Sequence, residues 1–450
     1  MFGLLRQAPR RWVSSVFFRG TMPPRPEELE GLGAQGVRVG AVSAKEGVHW
    51  SVKLAHEAWG EAELTAPRGL PLPRKLVDLS PTLSDAERAE LRAAGTGVSL
   101  AFKLRGEDPL RERKLALRYV RAVMGRDAVG AVDVESMRFW SRAELEEELA
   151  HEAELDVQSL YSLHAVRCGD GGGDATPRGE ERGESIWLHT HGLAALGGFD
   201  LDVLNPPSPL DLDSGLGDVL RALAFRVVEG LVKPGDPRVQ LAEPGGAVAL
   251  IEAESFQREG PARERELRHD PDREHATKRA VVCDPLPWGP AKWFTKPRAS
   301  RWLQAPMPEG VLVHYSQAAT QLMARRARET YGVLRRLAQE LQPLQAPTLV
   351  KLGYEVDGGA PDQREHLWFE VHHFHDGHVE ATLLNQPHRI AALAPGQRGR
   401  HEVQRLTDWT LLTPAGRITP SHTVPLRRLR ERWDEVMALV RQNEAPVSPT

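Results

Sequence analysis

Residues 365–385, EHLWFEVHHFHDGHVEATLLN, decide how the C-terminal part of the chain is read. Apolar and polar residues alternate on either side of Asp376-Gly377, a pair that supplies the positive φ angles of a tight turn. The segment therefore predicts an antiparallel hairpin. Working outward, TLVKLGYEVD before it and HEVQRLTDWTLLT after it keep the same period of two, with a turn at PGQRG and a last short strand after Gly416. A small β-rich domain is expected over 348–440, preceded by the linker QPLQAP and by one long helix over 316–341, whose arginines are expected to form a solvated face.

Further upstream, the signals alternate between the two periods. WVSSVFF reads as a first strand, VRVGAVSA and HWSVKLAHEAWGEAELTAP as half-buried strands, and Ser84 with Glu87 three residues on as a capped helix start. A helix is expected over 109–124, a strand at GAVDVES, and an acidic helix over 142–155. A second run places strands at SLYSLHAV and IWLHTHGL, separated by a glycine-rich insert from residue 168 to 185, then a helix over 216–230 and a strand over GGAVALIEAESF. The charged stretch 258–279 is expected as an exposed loop and a hinge between lobes. The fold class is α+β and multidomain, with mixed and antiparallel sheets flanked by helices, divided as 1–155, 156–300, 301–347 and 348–440.

Size and composition agree. A chain of 450 residues exceeds what one core fills, 41% hydrophobic and 27% charged residues are globular values, and a net charge of -4 gives no global attraction to nucleic acid or membrane. Cys168 and Cys283 are too few for a disulfide scaffold, and no run of about 18 apolar residues occurs. The arginine-bearing N-terminus lacks an apolar h-region and reads as structure rather than a targeting peptide. Cytoplasmic localisation is expected.

Several constellations bear on chemistry. Trp187-Leu-His189-Thr-His191 sets two imidazoles at i and i+2, which a strand points to one face, where they can share a metal. With Asp202 this is similar to the zinc site of JAMM-type isopeptidases, but Gly192 stands where that pattern has proline and Phe199 where it has serine. His164, Glu184 and Glu252 are the other donors in reach of the argument. The competing reading is of buried histidines with backbone partners and of Asp200 and Asp202 facing solvent.

His366, His372, His373, His375 and His378 form a second cluster, read chiefly as exposed polar residues of the hairpin, with a metal-binding or pH-sensing patch as the alternative. Trp288, Trp293 and Trp302, in PLPWGPAKWFTKPRASRWL, are expected as core anchors, with an aromatic contact surface as the alternative. No nucleophile elbow, phosphate loop or dinucleotide fingerprint occurs, and no catalytic residue is assigned.

The C-terminal segment resembles the bacterial domain of unknown function 2314 in Glu365-His366-Leu367-Trp368, Gly377, Asn385-Gln386-Pro387, Gly396 and Asp408-Trp409. The chain ahead of it, in Phe17-Phe18-Arg19-Gly20, Trp140-Ser141, 160–166 and 187–193, resembles domain of unknown function 4026. Neither resemblance implies an activity or a cofactor. Trp368 and Trp409 are expected as cross-strand aromatics, and Glu365, His366, Asn385 and Asp408 as candidate binding residues. The leading expectation is a non-enzymatic binding, regulatory or immunity-type module without a cofactor, its partner a protein and not a membrane or nucleic acid. The alternatives are a metal-dependent hydrolase using His189 and His191 with Asp202 and zinc, and nucleic-acid binding through the arginine helix 316–341.

Overall fold

A computed structural model describes residues 11–444 except 71, 81, 106, 169–184, 209, 211, 213–214, 244, 269–276, 307–311 and 361–362. The glycine-rich insert, Glu184 and the first ten residues thus lie outside the described residues. The chain divides into two compact units, one of residues 1–149 and 157–316 and one of 150–156 and 317–450. That is coarser than the division expected from the sequence. Among the described residues the strands make three mostly antiparallel sheets, and the class is α+β.

The first unit holds two seven-stranded sheets. In the first, the apolar strand Arg11–Phe18 sits between Thr96–Lys103 and Ala128–Asp133, antiparallel to both. The helix Pro109–Met124 packs on it by a strongly apolar face. Arg113 of that helix is wholly buried, its guanidinium 4.7 Å from the Trp12 ring and 3.6 Å from Asp133 Oδ2. Ser84 caps the helix Asp85–Arg92 as its spacing predicts, its hydroxyl accepting from Glu87 N at 3.2 Å while Glu87 Oε2 accepts from Ser84 N at 2.8 Å.

The second sheet runs Leu312–Val313, Val239–Glu243, Gly246–Glu252, Arg279–Cys283, Asp200–Leu204, Ser185–His191, Ser162–Cys168. Among the described residues its one parallel pair joins Asp200–Leu204 to Arg279–Cys283. The helix Gly215–Val228 contacts the Val239–Glu243 and Leu312–Val313 strands. A core of Trp187, Leu204, Phe256, Leu267, Val281 and Cys283 lies on this sheet. Two expectations change here. The strand GGAVALIEAESF ends at Glu252 and continues as the helix Ala253–Glu259, which tucks Phe256 into that core. The charged stretch 258–279 is not simply an exposed loop: it holds the helix Ala262–Glu266 and the buried Leu267, and its Arg268 and Arg279 reach inward.

The second unit is a six-stranded antiparallel sheet, Arg398–Glu402, His378–Leu383, Arg364–Phe374, Thr348–Glu355, Leu406–Thr413, Gly416–Ile418. The predicted hairpin is present, with a register shift at His372. Val350, Leu352, Phe369, Ala381, Trp409 and Leu411 face a core closed by Ala327, Tyr331, Leu334 and Leu337. The long helix expected over 316–341 is instead two, Gln317–Glu329 and Tyr331–Glu340, broken at Thr330. The Thr330 hydroxyl donates to Arg326 O at 2.7 Å and accepts from Trp409 Nε1 at 2.8 Å, so a β-branched side chain bonded back to the preceding turn marks the break.

The acidic helix ends at Leu149, and 150–156 joins this unit. There the Glu154 carboxylate pairs with Arg325, its carbonyl accepts from Arg326 Nη1 at 3.1 Å, and Ser421 Oγ donates to Asp156 Oδ2 at 3.1 Å. The arginine face is therefore only partly solvated. Arg326 is buried, Arg328 donates to Leu406 O, and Arg335 pairs with Asp376.

Candidate metal centre

The strand Ser185–His191 pairs with Ser162–Cys168 so that His189 stands opposite His164 and His191 opposite Ser162. The two-residue period sends His189 and His191 to one face, and the register adds His164 to it. Ring centroids lie 5.7 Å apart for His164 and His189, 4.6 Å for His164 and His191, and 4.9 Å for His189 and His191. One ligand nitrogen from each falls within 4.8 Å of the others. His189 and His191 are buried and His164 half-buried. Trp187, on the same face, lays its ring 4.3 Å from that of His189.

The strand stops just past His191 for a local reason. Gly192 has φ +115°, and a Cβ there would stand 2.7 Å from both Leu160 O and Ser136 Cβ. Only glycine fits. The chain then turns through 193–198 and returns as Asp200–Leu204, as the two glycines of that turn predict.

Asp202 lies opposite His189 in the register, and both of its oxygens are hydrogen-bonded. Oδ1 accepts from Arg279 Nε at 3.0 Å, Arg279 Nη2 at 2.8 Å and Trp187 Nε1 at 3.2 Å, and Oδ2 accepts from Arg268 Nε at 2.8 Å. Asp200 accepts from Thr190 Oγ1, Leu193 N and Thr277 Oγ1, with Arg279 Nη1 at 3.9 Å. Burial holds the Asp200 carboxyl above the usual carboxylate range, against the opposing pull of Arg279. Both aspartates are fully buried, so the expectation that they face solvent is corrected. The third donor beside His189 and His191 is His164, while Asp202 anchors two arginines. Glu252 is exposed at the start of the helix Ala253–Glu259.

The candidates of the second unit separate into two groups. Glu365 accepts from His388 N at 2.8 Å and Arg389 N at 2.9 Å, and Asn385 Oδ1 accepts from Trp368 N at 2.7 Å. Both shape the loop after the hairpin. His366 points to the other face, where its Nδ1 lies 3.1 Å from Thr407 Oγ1, near Lys351. Lys351 Nζ lies 5.4 Å from the Trp368 ring, and Asp408 is opposite Lys351 in the register. Burial first, then Lys351 and Arg364, push the His366 imidazole down to about 4.

Of the hairpin histidines, His375 and His378 stack at 4.2 Å across the turn, whereas His372 bonds Thr382 Oγ1 at 2.7 Å. An open cavity of about 860 Å³ in this unit is lined by Arg335, Gln339, Thr348, Glu370 and His372 among others. Trp368 is half-buried and Trp409 fully buried in the core.

With this geometry in view, the comparisons place the C-terminal unit in a class of bacterial domains. Residues 317–435 match the family model described as an uncharacterized protein conserved in bacteria (DUF2314). No curated protein and no solved structure matches the chain. Among the described residues no helix is long and apolar enough to cross a membrane.

Proposed function

We propose that the protein is a metal-binding module whose centre is His164, His189 and His191. The observation that carries the reading is the convergence of three imidazoles within 4.8 Å on one buried sheet face. Nitrogen ligands of a tetrahedral zinc ion, each roughly 2.0–2.1 Å from the metal, stand about 3.4 Å apart, so small side-chain rotations close the cluster. A three-imidazole donor set suits zinc and the later first-row divalent ions rather than calcium or magnesium. Asp202 supports the reading through its partners: held by Arg268 and Arg279, it accepts from the Trp187 indole that lies against His189.

On this reading the protein acts in the cytoplasm in binding or regulation, with the preceding residues forming the region resembling domain of unknown function 4026. The hydrolase alternative has one observation in its favour, since three protein ligands leave a fourth tetrahedral position for water. The nucleic-acid alternative is weakened because Arg325, Arg326, Arg328 and Arg335 are engaged within their own unit.

Elemental analysis of the purified full-length chain, after dialysis against zinc and then buffer, tests the proposal. About one equivalent is expected, lost in His164→Ala and in His189→Ala/His191→Ala but retained in Asp202→Asn. Zinc at a hundredfold its dissociation constant should stabilise the wild type by about 2.7 kcal/mol and the histidine variants by nothing. A wild-type chain that retains no metal and shows no zinc-dependent stabilisation sinks the proposal.

A further inference from the structure

The tryptophan-rich stretch 285–298 is a finger with a buried base and an exposed tip. At the base, Cys283 and Ala299 form an antiparallel bridge, Asp284 N donates to Arg298 O at 2.9 Å, and Ser300 N donates to Val282 O at 3.1 Å. Leu286 N, on the way out, donates to Pro237 O at 2.9 Å. The tip is the single short turn Gly289–Phe294, closed by Thr295 Oγ1 donating to Ala291 O at 2.9 Å. Trp288 is 82% exposed and Phe294 88% exposed, which corrects the expectation that Trp288 packs as a core anchor. From Pro285 to Ala305 the sequence contains Lys292, Lys296, Arg298 and Arg301 and no acidic residue.

Other exposed large apolar side chains among the described residues are aliphatic ones such as Met22 and Leu231, whereas here two aromatic rings stand in water together at one proline-stiffened tip, which is unusual. We propose that this finger is a peripheral docking element for an anionic lipid surface. Trp288 and Phe294 enter the headgroup boundary, where an amphipathic ring is best accommodated, and Lys296 and Arg298 remain at the level of the anionic headgroups. Charge complementarity selects the occupant: Lys296 and Arg298 are exposed beside the tip, and Asp284 at the base is paired with Arg301 at 2.7 Å, so the finger presents uncompensated positive charge next to its two rings. Single-stranded nucleic acid fits less well, because stacking proteins pair their aromatics with a groove that tracks the phosphate backbone, whereas these two rings stand clear of the surface. Attachment through one short finger is weak and reversible, with each basic side chain near the surface contributing about fivefold in affinity.

Flotation of the full-length protein with phosphatidylcholine vesicles, with and without phosphatidylglycerol, tests the proposal. Binding is expected only to the phosphatidylglycerol vesicles and to fall as salt is raised. Trp288→Ala/Phe294→Ala should lower it at least tenfold, and Lys296→Glu about tenfold or more, with the unfolding transition unchanged because these side chains are exposed. Quenching of tryptophan emission by brominated lipid should fall in Trp288→Phe. Failure to bind anionic vesicles overturns the proposal, as does binding indifferent to the tip variants. Tip-dependent binding to oligo-dT or tip-dependent self-association, without vesicle binding, overturns it in favour of a nucleic acid or a protein partner.

Discussion

Replacing Arg279 with methionine removes the cation shared by two buried carboxylates. Arg279 gives Asp202 two hydrogen bonds, at 3.0 and 2.8 Å, gives Thr190 O a third at 3.1 Å, and stands 3.9 Å from Asp200. Breaking a buried pair from one side costs about 3–5 kcal/mol because the remaining charge stays desolvated. Asp202 keeps Arg268 and the Trp187 indole, so the loss belongs at the lower end, about 3 kcal/mol at neutral pH. That is roughly a hundredfold in the opening equilibrium.

The sign of the pH response is fixed by Asp200. Its folded-state carboxyl is already raised by burial, and losing Arg279, the largest opposing influence, raises it further. The folded variant therefore holds a proton that the unfolded chain releases, and its deficit against the wild type shrinks as pH falls through the raised value. Because the chain has two units, local opening is the quantity to measure: hydrogen exchange of the amides in Ser185–His191, Asp200–Leu204 and Arg279–Cys283, at neutral pH and near pH 5. Asp202→Asn/Arg279→Met should lose less than the sum of the single changes. A deficit under about 1 kcal/mol, the same at both pH values, would refute the claim that these carboxylates depend on Arg279.

Two further outcomes follow from single residues. His366 is held neutral, pushed down to about 4, whereas an unfolded histidine titrates near 6.5. Between those values the unfolded state binds the extra proton, so stability of the second unit falls with falling pH by up to about 3 kcal/mol; His366→Gln should flatten that part of the pH profile in urea titrations, and an unchanged slope counts against it. Gly192→Ala should cost several kcal/mol, on the order of 3, and should disturb zinc retention with it, because Leu160 O and Ser136 lie 2.7 Å from the new Cβ; a thermal transition and metal content like those of the wild type contradict the account of that turn.

Local signals that act over a few residues were legible in the chain itself. The Ser84 cap, the helix over 109–124 and the glycines of the 193–198 turn use short-range chemistry, and each appears where its residues stand; the hairpin at Asp376-Gly377 appears too, but it closes with neither residue at positive φ, so the turn is not of the kind the pair predicts. The DUF2314 resemblance was legible for the same kind of reason, as a fixed order of turn and strand residues within one unit.

What the sequence could not convey was pairing. Nothing in SLHAV or WLHTH states the register that sets His164 opposite His189, nor that Arg279, seventy-seven residues away, bonds the Asp202 carboxylate. Strand spacing had offered Asp202 as a ligand because a local pattern counts residues, whereas a carboxylate's partners are chosen by which charges burial leaves nearby. Thr330 makes the same point within a helix: its propensity alone does not end 316–341, but the Trp409 indole from a distant strand does bond its hydroxyl. The exposure of Trp288 is likewise a tertiary fact. Its composition suits a core equally well, and only the pinched base at Cys283 and Ala299 lifts it into solvent. Short-range signals in the chain placed most strands and several helix starts, whereas the break at Thr330, the helix after Glu252 and the meeting of distant side chains were set by tertiary packing, because they depend on long-range register and on the burial of charge.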